Sequence, residues 1–201
     1  MKNKYKNIIG VVLAGGKNSR FNGKEKIFLK IEKQTFYDKA INILKNNFEK
    51  IIVITNSSND FPKDNIPKYK DIIQNIGPLG GIHAALTNAK TADAIFIVAV
   101  DMPFIDDKIL RKMAELFTKQ DVDILIPRIS ENIEPLFAIY STSILEKLNE
   151  YLSTSKVFSI RSFFEKVNAK FFELEATKKN KKAFININSK EDYNKHINTI
   201  I

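Results

Sequence analysis

Four nearly continuous apolar runs punctuate the chain: "IIGVVLA" (Ile8 to Ala14), "KIIVIT" (Lys50 to Thr55), "AIFIVAV" (Ala94 to Val100) and "VDILIP" (Val122 to Pro127). Strict alternation would mark strands with one wet face. Unbroken runs of branched residues predict strands covered on both faces, as in a parallel sheet. Between them lie segments of helical period. Phe36, Ala40, Ile43, Leu44 and Phe48 fall at i, i+4, i+7, i+8 and i+12, and Ile109, Leu110, Met113, Ala114 and Phe117 form a second stripe, opened by Asp106 and Asp107 as candidate caps. "GPLGGIHAAL" (Gly77 to Leu86) reads as a turn entering a third helix. Beyond Arg128 the rhythm changes: "EPLFAIY" (Glu134 to Tyr140) predicts a strand, Ser141 to Leu152 a helix, "AKFFEL" (Ala169 to Leu174) a strand, and "NSKEDYNKHI" a closing helix from about Ser189.

Strands alternating with helices predict βαβ units with right-handed crossovers, hence an α/β protein with a mainly parallel sheet. No internal repeat, low-complexity tract or Pro/Gly-rich linker interrupts the 201 residues, so a single domain over 1–201 is expected. A domain of this size buries about 70% of its unfolded surface and needs no staple to fold. In open α/β sheets the ligand lies beyond the carboxyl ends of the strands. The loops after Ala14, Thr55 and Val100 are therefore the places to look for chemistry.

Composition narrows the field. The absence of cysteine excludes disulfides, thiolate zinc sites and a cysteine nucleophile, and fits a reducing compartment, with cytoplasm the default. The basic start "MKNKYKN", the apolar run after it and Val12-x-Ala14 mimic a signal peptide, but the run is short and passes directly into glycines and a basic loop. No segment approaches transmembrane length. A formal charge of +9 suits an anionic partner such as a nucleotide or a phosphorylated metabolite, although lysine-rich composition alone can produce it. Neither an RNP-like aromatic pattern nor zinc-finger spacing supports nucleic acid.

The first loop holds the densest chemistry. Gly10 and Gly15 have the spacing of the common NTPase phosphate loop, yet Gly16 stands where its lysine belongs, and Asn18 follows Lys17 in place of Ser or Thr. What remains is Gly15 and Gly16, which allow close backbone approach, with Arg20, Lys24 and Lys26 to balance phosphate charge. The loop after the third run adds a carboxylate. Asp101 in "DMPF" ends a strand-type run, and Pro103 disfavours helical geometry at Met102. An acid there is a natural Mg²⁺ ligand, since magnesium takes one or two carboxylates and completes its shell with waters and substrate phosphates. A helix cap is the alternative, but Asp106 and Asp107 already fill that role. The two histidines, His83 in a helical segment and His196 near the C-terminus, sit in no glycine-rich loop, and neither a G-x-S-x-G elbow nor an H-E-x-x-H helix occurs. Chemistry without a protein nucleophile or strong base is indicated. Transfer of a nucleotidyl group to an acceptor that is already a phosphate anion is such a case.

At these residues the chain resembles a known family. "LAGGKNSRFNGKEK" is similar to the L-A-G-G, R-M-G and lysine signature of the molybdenum cofactor guanylyltransferases, within the nucleotidyltransferases that open with L-A-[AG]-G. Asn56 in "VITN", Asp71 and Gly77 to Gly81 in "DIIQNIGPLGGI", Asp101 in "DMPF", "EPLFAIY" and "FININSKED" follow in the family's order over nearly the whole chain. The resemblance implies a three-layer αβα, Rossmann-like nucleotidyltransferase fold. It implies that Leu13, Ala14, Gly15 and Gly16 hold the guanine nucleotide, Lys26 lies on its phosphates, Asn56 and Asp71 contact the guanosine, and Asp101 binds Mg²⁺. Arg20 would serve a phosphate. Gly80 and Gly81 would allow close approach, on the acceptor side together with Asn186 and Asn188 of an N-x-N motif, which would serve the pterin or the metal. A turn before the last helix is the other reading of that motif. Phe21-Asn22 departs from the family's Met-Gly and puts the path of the loop in question.

The implied reaction is transfer of GMP from GTP to molybdopterin, with other molybdenum cofactor biosynthesis or acceptor proteins as partners and neither nucleic acid nor membrane. The rivals are a cytidylyltransferase acting on the same pterin, a sugar-phosphate nucleotidyltransferase, and a nucleotide-binding module without turnover. The cytidine and sugar enzymes usually read L-A-A-G. Gly15 lacks the methyl that would crowd a purine, which favours guanine, and the presence of both Lys26 and Asp101 argues against loss of turnover.

Overall fold

The computed structural model describes residues 4–15, 20–21, 24–57 and 61–197, of which 20, 21, 24, 25 and 197 are described by backbone alone. In chain order the elements that frame the molecule are β1 (Tyr5–Leu13), α1 (Phe36–Asn47), β2 (Phe48–Ile54), β3 (Lys68–Tyr69), α2 (Pro78–Asn88), β4 (Ala94–Ala99), α3 (Asp107–Phe117) and β5 (Ile124–Ile129). They continue with β6 (Asn132–Ile133), β7 (Phe137–Ser141), α4 (Leu145–Thr154), α5 (Ile160–Phe164), β8 (Ala169–Leu174), α6 (Lys178–Ala183) and α7 (Lys190–Ile197).

The strands form one eight-stranded sheet in the order β6-β5-β7-β4-β1-β2-β3, with β8 beside β5. β1 pairs in parallel with both β2 and β4, β2 with β3, and β8 with β5, whereas β7 runs antiparallel between β4 and β5. The sheet is thus mixed but mainly parallel.

Successive strand residues point to opposite faces, and the unbroken apolar runs divide accordingly. Ile8, Val12, Phe96 and Val98 join one core with α1 and α3, while Ile9, Val11, Ile95 and Ile97 join the other with α2 and α4. Helices on both faces give the three-layer αβα architecture expected from the sequence. Residues Ala94 to Val98 are fully buried, which is why β4 shows no polar alternation.

Local chemistry sets the helix starts. Thr35 closes a reciprocal capping box with Asp38, its hydroxyl accepting the Asp38 N–H at 2.9 Å while the Asp38 carboxylate accepts the Thr35 N–H at 3.2 Å. Asp106 caps α3 by accepting the Lys108 N–H at 2.7 Å. Two expectations are corrected. Phe48 opens β2 rather than closing α1, because its extended backbone carries the same ring into the same core. Glu134 to Leu136 form a turn ahead of β7, with the Phe137 N–H returned to the Glu134 carbonyl at 3.1 Å.

A polar knot ties α1 to the segment that leads to β3. The Tyr37 hydroxyl donates to Asp64 at 2.6 Å, the Ile66 N–H donates to the same carboxylate at 3.2 Å, and Lys68 pairs with it. Burial pushes the Asp64 carboxyl up, but these donors together hold it below its ordinary value. Tyr37→Phe is expected to lower stability at neutral pH by about 1.5 to 3 kcal/mol, the usual range for a hydrogen bond to a charged group. A carboxyl held low in the folded state stabilises above its unfolded value and loses that contribution as pH falls through the folded one. Thermal melts of the two proteins should therefore converge in acid; equal melting temperatures at pH 7 would refute the assignment.

Candidate active site

The carboxyl ends of β1, β2 and β4 are level. Leu13 stands opposite Ile54 on one side and Ala99 on the other. The ladder runs one step further, with the Ala14 N–H donating to the Ile54 carbonyl at 2.9 Å and the Val100 N–H to the Leu13 carbonyl at 3.0 Å. The three loops singled out from the sequence therefore leave the sheet side by side. Leu13 and Ala14 are buried, and their carbonyls are already engaged, that of Ala14 by the Thr55 hydroxyl at 3.4 Å. They form the floor of the site, and Gly15 is the first exposed residue above it.

On the β2 side, Asn56 and Asp71 form a reciprocal pair. The Asn56 amide donates to the Asp71 carboxylate at 2.9 Å, and its oxygen accepts the Asp71 N–H at 3.0 Å. The start of α2 lies against this pair. A Cβ on Gly80 would meet the Ile73 carbonyl oxygen at 2.8 Å and the Asp71 carboxylate at 3.4 Å, and one on Gly81 the Leu13 side chain at 3.3 Å. Gly80 and Gly81 thus stand with Leu13, Asn56 and Asp71, not with the two asparagines near the C-terminus. Gly15 differs. Among the described residues a Cβ there would meet only Asn56 and Thr55 backbone atoms, at 3.8 and 4.0 Å, which is ordinary contact.

On the β4 side, Asp101 follows the strand in a turn, partly buried. Burial pushes its carboxyl up, and the Lys26 ammonium and the residue's own N–H offset this in part. Lys26 opens a 3₁₀ turn, Lys26–Phe28, and is itself buried. Its Nζ donates to Asn188 Oδ1 at 2.9 Å. Between the two asparagines, the fully buried Ile187 donates its N–H to the Asp101 carbonyl at 2.9 Å. Asn186 in turn donates to the Glu134 carboxylate at 3.2 Å. The N-x-N motif is thus a strap pinned to three loops, which goes beyond the alternative of a simple turn before α7.

Glu134 belongs to this cluster and the sequence reading passed over it. Burial pushes its carboxyl up, the donors from Asn186 and the Leu136 N–H pull it back, and the Asp101 charge adds to the rise. It arrives here because β7 is antiparallel, so the start of β7 meets the end of β4: Phe137 stands opposite Val98, and the Ala99 N–H donates to the Leu136 carbonyl at 2.8 Å. The Glu-Pro step before an apolar run was the available signal.

Of the remaining expectations, Arg20 lies by its backbone in a two-residue strand paired antiparallel with Lys24–Glu25, and Gly16 lies outside the described residues. His83 is buried between α2 and α4 with Nε2 2.8 Å from Asn149 Oδ1, and His196 packs against the Phe104 ring. Neither takes part in the cluster. Among the described residues no group of three or more acidic or imidazole side chains could cage a metal ion. Asp101, a burial-stressed carboxylate beside the Lys26 ammonium, suits instead a divalent cation that takes most of its ligands from water and substrate phosphate. No helix among the described residues is long and apolar enough to cross a membrane.

The fold and the site together define a three-layer α/β protein that gathers charged side chains at the carboxyl edge of its sheet, the place where open α/β sheets hold their ligands. The MobA-like NTP transferase domain matches residues 10–170, and the chain belongs to that family. It is 38% identical over 195 residues to the "Probable molybdenum cofactor guanylyltransferase" of Clostridium perfringens, covering 90% of this chain and 92% of that one. It is 29% identical over 191 residues to the "Molybdenum cofactor guanylyltransferase" of Desulfosudis oleivorans, covering 94% and 93%. The fold is shared with the crystal structure of molybdopterin-guanine dinucleotide biosynthesis protein A from Archaeoglobus fulgidus, with a TM-score of 0.78 at 23% identity over 96% of this chain and 98% of that one.

Proposed function

We propose that this protein transfers GMP from GTP to molybdopterin, releasing pyrophosphate and forming the molybdopterin guanine dinucleotide. The observation that carries the reading is the meeting of Lys26, Asp101 and the Asn186-Ile187-Asn188 strap at the ends of β1 and β4. Relatives named molybdenum cofactor guanylyltransferase along nine-tenths of the chain support it.

The nucleoside lies on the β2 side. Gly15 offers exposed backbone, the Asn56–Asp71 pair offers hydrogen-bonding edges to guanosine, and Gly80 and Gly81 keep the wall flat beside it. These two glycines are assigned here to the nucleotide rather than to the acceptor, since they stand with Leu13 and Asp71. Gly16 is assigned to the nucleotide and Arg20 to its phosphate. Toward β4, Lys26 meets the phosphates, and Asp101 is the residue that would hold Mg²⁺. When bound, the ion would supply neutralisation of the triphosphate charge.

A phosphate oxygen of molybdopterin attacks the α-phosphorus in line. The bond from that phosphorus to the bridging oxygen of the β-phosphate breaks, and its electron pair leaves with pyrophosphate. The attacking oxygen arrives as an anion, so no side chain has to remove a proton, in keeping with histidines placed away from the cluster. The cysteine-free chain suits work in a reducing cytoplasm. Pyrophosphate release should be measured with GTP, CTP, ATP and UTP, each with and without Mg²⁺ and molybdopterin. Release is expected only when GTP, Mg²⁺ and molybdopterin are present together. Turnover with CTP alone would sink the guanine assignment, and nucleotide binding without any turnover would make the protein a binding module.

A further inference from the structure

Both asparagines of the strap have one end occupied by a partner whose chemistry leaves no choice of orientation. The Lys26 ammonium can only donate, so the atom of Asn188 that faces it at 2.9 Å is Oδ1. An ionised carboxylate can only accept. The atom of Asn186 that faces Glu134 at 3.2 Å is therefore Nδ2. Glu134 is held in turn by the Leu136 N–H, which donates to its other oxygen at 3.3 Å. Ile187, fully buried and bonded to the Asp101 carbonyl, prevents the strap from sliding between its two ends. The two amides are consequently presented with opposite polarity: Asn186 offers a carbonyl oxygen, and Asn188 offers an N–H donor.

We propose that Glu134 is a positioning residue for the acceptor substrate. By holding Asn186 through its amide nitrogen, it keeps Asn186 Oδ1 available to accept a hydrogen bond from an N–H of the acceptor's heterocycle, while Asn188 Nδ2 is left to donate to an acceptor oxygen. The inference rests on the guanylyl-transfer reading above and adds to it a residue and a polarity. Without Glu134 the Asn186 amide is free to turn, and either end can face the ligand.

The test compares wild type, Glu134→Ala, Glu134→Gln, Asn186→Ala and the double variant Glu134→Ala/Asn186→Ala, all checked for fold by thermal melting. Glu134→Ala should raise the KM for molybdopterin about tenfold, the loss of one well-placed hydrogen bond. GTP affinity measured without acceptor, and the Mg²⁺ concentration needed for half-maximal rate, should stay at their wild-type values. Glu134→Gln keeps an oxygen for Asn186 Nδ2 and should recover most of the loss. A residue that acts through another adds nothing once that other is gone, so the double variant should match Asn186→Ala. An unchanged acceptor KM in Glu134→Ala, additive losses in the double variant, or a shift confined to Mg²⁺ dependence would each overturn the inference while leaving guanylyl transfer intact. Failure of the wild-type protein to transfer GMP to molybdopterin would instead overturn the functional reading, and the acceptor named here with it.

Discussion

Asp101→Asn is expected to reduce GMP transfer by at least about a hundredfold to a thousandfold, the range seen when one preorganised electrostatic contact to a transition state is removed. The same substitution should leave the melting temperature unchanged or higher. The two expectations share one cause. Burial pushes the Asp101 carboxyl above its ordinary value, with Lys26 and the residue's own N–H offsetting only part of the rise. The ligand-free fold therefore bears a cost for keeping this group ionised. For a carboxyl raised in the folded state that cost is present above the raised value and disappears below the unfolded one, near 3.8. Any gain in melting temperature on Asp101→Asn should thus be largest near neutral pH and shrink to nothing toward pH 4. Mg²⁺ with GTP should raise the melting temperature of wild type more than that of the variant, since binding to the folded state is the stabilising term. A variant that turns over at the wild-type rate would remove the metal assignment. One that merely unfolds would show that Asp101 supports the fold, a conclusion its burial-stressed carboxyl argues against.

Asp101 could be found in the sequence because a buried strand advertises itself. Five consecutive residues with no exposure leave no room for a polar side chain, so the first carboxylate after them has to lie at the sheet edge. The same logic located Gly15 and the loop after Thr55, whereas Asn56 itself was named only by the family resemblance. Lys26 was not visible in that way. It lies in a 3₁₀ turn beyond a loop with no periodic signal, and only its place in the family signature distinguished it from Lys17 and Lys24. Glu134 was missed for a topological reason. Apolar runs report burial but not direction, and the arrival of Glu134 beside Asp101 depends on β7 running against β4. The placement of Gly80 and Gly81 was hidden similarly, because Leu13 is distant in sequence and meets Gly81 only when α2 packs beside β1. Phe48 was assigned to a helix because a large apolar residue at helical spacing fits a core whichever backbone carries it.

Lys26→Met should impair both halves of the reaction, unlike Asp101→Asn, whose main effect is on turnover. The methionine keeps most of the unbranched stem that packs in this buried position and removes the ammonium. Two losses follow. The phosphates of the nucleotide lose a cation in a site where water screens little, and the strap loses the donor that holds Asn188 at Oδ1. The first loss should raise the dissociation constant for GTP, measured without acceptor, by about ten- to a hundredfold, as expected for a charge-assisted contact worth roughly 1.5 to 3 kcal/mol. The second should add a rise in the acceptor KM, because Asn188 is then free to turn its amide. Asp101 also loses its neighbouring positive charge, so its carboxyl should move further up and the acid limb of the pH–rate profile should shift to higher pH in Lys26→Met. Lys26→Arg retains the charge but spreads it over a planar fork that does not fit the space of a buried ammonium, and it should recover nucleotide affinity only in part. GTP affinity, acceptor KM and acid limb all at their wild-type values in Lys26→Met would show that the buried lysine serves packing alone.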